Sequence, residues 1–311
     1  MIKKPEELDF SDKKIRAIIA GLPGTGKTTL ALSAPKPLLI DLDNGIDRVE
    51  ARHRKDTDVV SSYQELLDDL VPKNLNSYET IIIDTGGKLL ELMKGKIDSK
   101  GKRSDGSLSL QGYGSLKKIF SNFIKYLETL NKHVIYIFHA TEVRLENDMT
   151  GLRIRAEGSA KDFIWDNIDF GGFIEMKGKK RTINFSPCER YYAKGTHNLK
   201  GSFEIKNLDG ANANEKNDLL TKLFAKIISD LDNEVQEVAK YDKTMLLKKE
   251  IESVENVESL NAMFEKVTKA KHYLTSKEEL WNVLNIQAQK VGAEYDKSTK
   301  TFCLCDTEPT K

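Results

Sequence analysis

Residues 21–28 read Gly-Leu-Pro-Gly-Thr-Gly-Lys-Thr, a full match to the spacing G-x-x-x-x-G-K-[ST]. The run Arg16 to Ala20 before it is apolar and β-branched, and a helical pattern follows it. A strand feeding a helix through this loop is the context in which the motif acts. Gly24 and Gly26 let the backbone curl with its N–H groups pointing inward, which makes a nest for phosphate oxygens. Lys27 is expected to reach the β- and γ-phosphates of a nucleotide, and the Thr28 hydroxyl to ligate magnesium. Gly21, Pro23, Thr25 and Thr29 complete the expected binding segment. A glycine-rich turn without a ligand would need every fixed position of the motif to match by chance.

From Lys14 to Phe185, short apolar runs alternate with longer helical stretches. That pattern predicts an α/β fold, a mostly parallel sheet flanked by helices. The expected strands are Arg16 to Ala20, Pro37 to Asp41, Thr80 to Asp84, His133 to His139 and Phe170 to Met176. Continuous runs such as Thr80-Ile81-Ile82-Ile83 belong in strands buried on both faces. Asp209 to Asn214 is small and polar and reads as a linker between a core over 1–208 and a helical C-terminal region over 215–295. The helices expected there are Leu219 to Leu231, Thr244 to Ile251, Val257 to Val267 and Lys277 to Val291. Ser276 with Glu279 forms a capping box for the last of them, and Gly292 stops it. Residues 296–311 are expected to fray as a tail.

Three strand ends carry candidate chemistry. Asp84 ends Ile81-Ile82-Ile83-Asp84, the place where α/β sheets bind ligands, and is expected to share the magnesium with Thr28. Asp41 and Asp43 follow Leu38-Leu39-Ile40. Asp43 is the better placed as a general base for water, and the alternative use of such an acid is a helix or turn cap. His139 ends Val134-Ile135-Tyr136-Ile137-Phe138 and suits a sensor of the γ-phosphate; the plain alternative is a hydrogen-bonded surface histidine.

Lys and Arg total 49 against 48 for Asp and Glu, so any nucleic-acid site must be a local basic patch and not a property of the whole charge. Three cysteines without framework spacing argue against a disulfide scaffold and suit a reducing compartment. No apolar run approaches the ~20 residues of a bilayer span, and the N-terminus does not read as a signal peptide. Together these predict a cytoplasmic protein without a membrane partner. No Asn-Lys-x-Asp guanine signature is present, which favours ATP over GTP.

The order of these pieces over residues 14–200 resembles the RecA-type core, and more closely the small RecA-like ATPases of bacteriophages grouped with single-strand annealing proteins. The resemblance rests on the P-loop, on Ile40-Asp41-Leu42-Asp43-Asn44-Gly45-Ile46-Asp47, on Asp84-Thr85 and on Ile137-Phe138-His139. It implies a RecA-like P-loop core, ATP with Mg2+ as ligands, Asp43 as the water-activating carboxylate and His139 at the place of a sensing Gln. It also implies two DNA-binding loops. The first spans Lys94 to Gly114 with Lys96, Lys100, Lys102 and Arg103; the second spans Thr141 to Gly158 with Arg144, Arg153 and Arg155. Tyr113 is the one aromatic in either. Two solvated surface loops are the plain alternative. Lys194 falls where a neighbouring subunit would supply a trans-acting lysine, so a homo-oligomer or filament is implied, although the long N-terminal arm that pairs RecA subunits is missing.

The function that follows is an ATP-dependent single-stranded DNA-binding protein of phage-type recombination or strand annealing, with DNA-stimulated ATP hydrolysis. A second class is an ATPase that loads or remodels a replication or recombination protein through its C-terminal helices. A third, small-molecule phosphotransfer, needs an arginine-rich lid, for which the stretch around Arg103 is a poor match.

Overall fold

Runs rich in Ile, Leu and Val can be buried on both faces only if helices cover both sides of the sheet they form. The computed structural model describes residues 2–3, 7–146, 149–156, 164–178, 180–208, 215–270 and 275–305. The strands are β1 (Arg16–Gly21), β2 (Pro37–Asp41), β3 (Thr57–Val59), β4 (Thr80–Asp84), β5 (His133–Arg144), β6 (Thr150–Ile154), β7 (Phe170–Lys177), β8 (Lys180–Asn184) and β9 (Ser202–Ile205). Among the described residues they form one sheet in the order β3-β2-β4-β5-β1-β7-β8-β9, with β6 paired to β5. The pairings from β3 across to β7 are parallel, and those of β8, β9 and β6 are antiparallel. Every residue of β2 and β4 is buried.

The helices along the sheet include α1 (Lys27–Ala31), α2 (Tyr63–Asp69), α3 (Gly86–Gly95) and α4 (Leu110–Thr129). Ser109 caps α4 by accepting from the N–H of Gly112. Leu116, Phe120, Phe123, Ile124 and Leu127 recur at helical spacing on α4 and are all buried, each worth about 1.5–3 kcal/mol when removed from water. On another side of the core, Phe170 meets Phe185 and Phe224 edge-on, with centroids 5.1 and 6.0 Å apart.

The five expected strands are present; Pro37–Asp41 and Thr80–Asp84 have the expected ends, and the other three run one or more residues further. β5 continues past His139 to Arg144 and turns back into β6, so the expected second loop is a β-hairpin over its described part. Residues 147–148 and 157–158 of that stretch lie outside the described residues. Period-two burial explains the difference: Leu152 and Ile154 are buried while Arg153 and Arg155 are exposed, an alternation that arginines hide in a composition-based reading. The first expected loop is also ordered. α3 runs to Gly95, Lys102 bridges Leu108, and the Arg103 N–H donates to the Ser107 carbonyl at 2.8 Å. Tyr113 lies in α4 and packs against the core, which removes it as a stacking platform.

The parallel register brings the strand ends to one edge. Gly21 pairs with His139, Asp41 with Asp84, and Asp84 with Ile137. At the other edge His133 begins β5, 6% exposed, its Nδ1 accepting from the Ile15 N–H at 2.9 Å. Burial, with Lys14 adding to it, pushes the imidazole down to about 4. The unfolded chain therefore binds the extra proton between about pH 6.5 and 4 while the folded one does not, and stability falls as pH drops through that window. We expect a loss of about 3 kcal/mol from this group by pH 4. Urea denaturation at pH 7 and 4.5 checks it: His133→Asn keeps an acceptor and should lose that pH-dependent part, and an equal pH slope in both proteins would contradict the assignment.

The chain divides into two compact units, Asp12–Ile228 and Ser229–Lys311 together with Met1–Ser11. The division falls inside α5 (Leu219–Glu252). Two separate helices were expected there; residues 232–243 contain no Gly or Pro, so good helix formers carry the chain through a stretch without apolar periodicity. The second unit adds α6 (Val257–Lys269), α7 (Lys277–Lys290) and a hairpin of β10 (Ala293–Asp296) and β11 (Thr301–Leu304). Leu260, Leu280 and Phe302 are at most 2% exposed in its core.

The expected capping box does not form. Ser276 gives α7 no side-chain cap; its N–H donates to Thr244 Oγ1, and Glu279 pairs with Lys248. Gly292, at φ 69°, does stop α7. The frayed tail is likewise corrected as far as β11, because Phe302 is a buried anchor. The linker Asp209 to Asn214 lies outside the described residues. No helix among the described residues is long and apolar enough to cross a membrane, and Cys188, Cys303 and Cys305 are free and exposed.

Candidate functional site

The loop between β1 and α1 requires glycine at two points. Gly24 and Gly26 stand at φ 75° and 84°, a left-handed backbone that other residues adopt at a cost. Pro23 is exposed and Thr25 is buried, its hydroxyl donating to the Leu22 carbonyl at 2.8 Å. Lys27 is 5% exposed and its Nζ donates to the same carbonyl at 2.9 Å. Burial holds its ammonium below the usual lysine range, against the pull of Asp84 and Asp43. α1 is only five residues long, so the loop N–H groups and Lys27, and not a long helix dipole, are the groups available to a phosphate.

Thr28 Oγ1 donates to Asp84 Oδ2 at 2.6 Å. Burial pushes the Asp84 carboxyl up to about 6; Asp43 and Asp41 add to the rise, while the Thr28 hydrogen bond and Lys27 oppose it. A hydroxyl and a carboxylate side by side are hard oxygen donors of the kind Mg2+ takes. No group of three or more His, Cys, Asp or Glu side chains able to hold a metal exists among the described residues.

Asp41 and Asp43 have separate uses. Asp41 is 1% exposed and accepts the N–H groups of Gly45 at 3.0 Å and Ile46 at 2.9 Å, with that of Asp43 at 3.3 Å. It holds the loop after β2 in shape. Asp43 is left facing the cleft, its Oδ2 3.8 Å from His139 Nε2. Burial, followed by the Lys27 charge, holds His139 below the usual histidine range, with Asp43 pulling the other way. His139 Nδ1 is buried without a hydrogen-bond partner among the described residues. The approach of α3 fixes this corner: a Cβ on Gly86 would stand 2.2 Å from Phe138 Cζ.

Gly24, Gly26, Lys27, Thr28, Asp43, Asp84 and His139 line one cavity of 480 Å³, within the range of small-molecule sites. Residues 13–197 match the family described as an AAA domain. The chain belongs to that family. No curated protein matches it. Among solved structures it is similar to a KaiC-like protein from the hyperthermophilic archaeon Pyrococcus horikoshii OT3, at 10% identity and a TM-score of 0.35, over 62% of this chain and 89% of that one. With its motif complete and its strand-end acids gathered, this AAA-domain protein is a P-loop ATPase.

Sequence reasoning missed the far wall of the AAA domain's cleft, which adds Arg48, Arg54, Arg181, Lys206 and Asn217. Arg181 packs on the loop, its Nη1 3.4 Å from where a Cβ of Gly26 would stand. Asn217 Nδ2 donates to the Thr29 carbonyl at 2.8 Å. Gly178 between two β-rich runs could have revealed the β7–β8 hairpin that carries Arg181. Among the expected DNA contacts, Lys100, Arg103, Arg144, Arg153 and Arg155 are exposed and Lys102 is half-buried. They lie on two separate segments, the turn before α4 and the β5–β6 hairpin. Lys194 is half-buried, and its Nζ donates to the Trp165 carbonyl of its own chain at 3.3 Å.

Proposed function

We propose that this ATPase binds ATP with Mg2+ in the cleft and uses hydrolysis to gate its hold on single-stranded DNA, as in phage-type recombination or strand annealing. The observation that carries the reading is the path of β5. It runs from His139 at the cleft into Arg144, and its hairpin partner returns Arg153 and Arg155, with the Arg155 N–H donating to the His139 carbonyl at 2.7 Å. His139, the residue we assign as γ-phosphate sensor, thus shares one hydrogen-bonded unit with three exposed arginines.

In this reading the loop N–H groups and Lys27 bind the phosphates, and Thr28 and Asp84 hold the magnesium, which when bound neutralises phosphate charge. Asp43 orients a water and takes its proton as the oxygen attacks the γ-phosphorus, so that ADP and phosphate leave. His139 reports whether the γ-phosphate is present, and Arg144, Arg153 and Arg155 meet DNA phosphates when it is, with Lys100, Lys102 and Arg103 as a second contact. Lys194 acts across subunits in an oligomer once it leaves the Trp165 carbonyl.

The test is the steady-state ATPase rate alone, with single-stranded DNA and with duplex. Single strands should stimulate turnover, and Arg153→Ala/Arg155→Ala should lose the stimulation while keeping the basal rate. The logarithmic salt dependence of DNA affinity should also become shallower by about 1.4, at ~0.7 per lost phosphate contact. A basal rate unmoved by either DNA would remove this reading and favour ATP-controlled loading or remodelling of a protein partner.

A further inference from the structure

Nucleobase binding needs flat aromatic faces in addition to cations, and neither expected DNA loop supplies one. The fold brings them from elsewhere. Beside β6 lies a cavity of 590 Å³ lined by Arg153, Trp165, Asp166, Phe173, Glu189 and Tyr192 among others. Trp165 is 9% exposed, and Tyr192, 54% exposed, stands edge-on to it at 84° with centroids 4.9 Å apart. Trp165 is backed by Phe173 at 6.5 Å, which is in turn stacked with Tyr191 at 4.8 Å. Tyr192 therefore presents a ring to solvent while its edge is braced by a fixed wall.

Charged groups share the lining with these rings. Arg153 donates its Nη1 to the carbonyls of Leu152 and Arg190 at 3.0 and 3.2 Å, neutral partners that orient the guanidinium without cancelling its charge. Arg190 is matched by Glu175 at 2.9 Å. Asp166 and Glu189 add acceptors to the lining. An exposed cation, an aromatic pair and two exposed carboxylates along one lining suit a ligand that is anionic at one end and, at the other, flat with amino donors. The backbone phosphate and the unstacked base of a single strand have that chemistry.

We propose that the cavity between β6 and Tyr192 binds one unstacked base of a single-stranded nucleic acid, stacked on Tyr192 against the Trp165 wall, with its phosphate on Arg153. This rests on the single-strand reading above and adds to it the place where the strand is gripped. It also links grip to nucleotide state, because Ile154, next to Arg153, pairs with Ala140, next to His139.

Trp165 is one of two tryptophans, so Trp281→Phe leaves it as the sole reporter. With ATP present, a fluorescein-labelled single-stranded oligonucleotide should raise its anisotropy and quench Trp165 emission over the same concentration range. Tyr192→Ala should weaken binding about tenfold or more with basal ATPase unchanged, and Tyr192→Phe should restore it. Anisotropy that rises normally with Trp165 unquenched and Tyr192→Ala unaffected would overturn this site and leave single-strand binding standing. No rise in anisotropy would overturn both. Quenching by a lysine-rich peptide and not by the oligonucleotide would give the cavity to a cationic protein segment drawn by Asp166 and Glu189, and would also overturn the proposal.

Discussion

Asp43→Asn should lower the turnover number for ATP by about two to four orders of magnitude, the usual weight of a positioned general base, and leave the affinity for Mg·ATP within about threefold. The substitution keeps size and one acceptor oxygen, so the loop should hold: its shape depends on Asp41, which accepts the backbone N–H groups of Gly45 and Ile46. What changes is the cleft-facing carboxylate 3.8 Å from His139. An amide there cannot take a proton from water. Single-turnover phosphate release and nucleotide affinity, measured on the same preparation, separate the two effects. Turnover equal to the parent would remove Asp43 as the base and return it to the role of a turn acid.

Lys27→Ala should act one step earlier, on binding. Lys27 is 5% exposed and its Nζ donates to the Leu22 carbonyl, a partner it can exchange for phosphate oxygens. Losing charge-assisted hydrogen bonds to two phosphates should cost about 3 kcal/mol or more, which is roughly a hundredfold or more in the dissociation constant of ATP. A fluorescent ATP analogue titrated against parent and variant reads this directly. Affinity within a few-fold of the parent would contradict the assignment of the loop itself. Because Lys27 is also pulled by Asp84 and Asp43, its removal leaves those carboxylates closer to unopposed, so a change in magnesium dependence should accompany the loss.

The cleft was legible where chemistry is written in consecutive residues. Gly21 to Thr28 carries its own spacing, and the apolar run of a parallel strand delivers the polar residue that follows it to a known edge, which is why Asp84, Asp43 and His139 could be named together although β5 continues to Arg144. The sequence was silent where partners come from antiparallel strands. Arg181 and Arg153 sit on β8 and β6, short strands whose outward-facing charged residues make them read as loop, and no spacing rule brings them beside Gly26 or Trp165. The long α5 and the β10–β11 hairpin escaped for related reasons: a polar helix has no stripe to detect, and a four-residue strand anchored by the single ring of Phe302 looks like loop. The capping box failed because Thr244, distant in sequence, offered the Ser276 N–H a better acceptor than Glu279.

β5 has no joint between His139 and Arg144. A flexible linker would absorb a small displacement at its first residue, whereas a hydrogen-bonded ribbon carries it to the far end as a tilt. Free energy passes along such a ribbon in both directions. On the proposed reading, a DNA strand that stiffens β5 and β6 would then tighten the nucleotide by the same factor that the nucleotide tightens the DNA, and the ribbon would regulate the cleft as much as it obeys it.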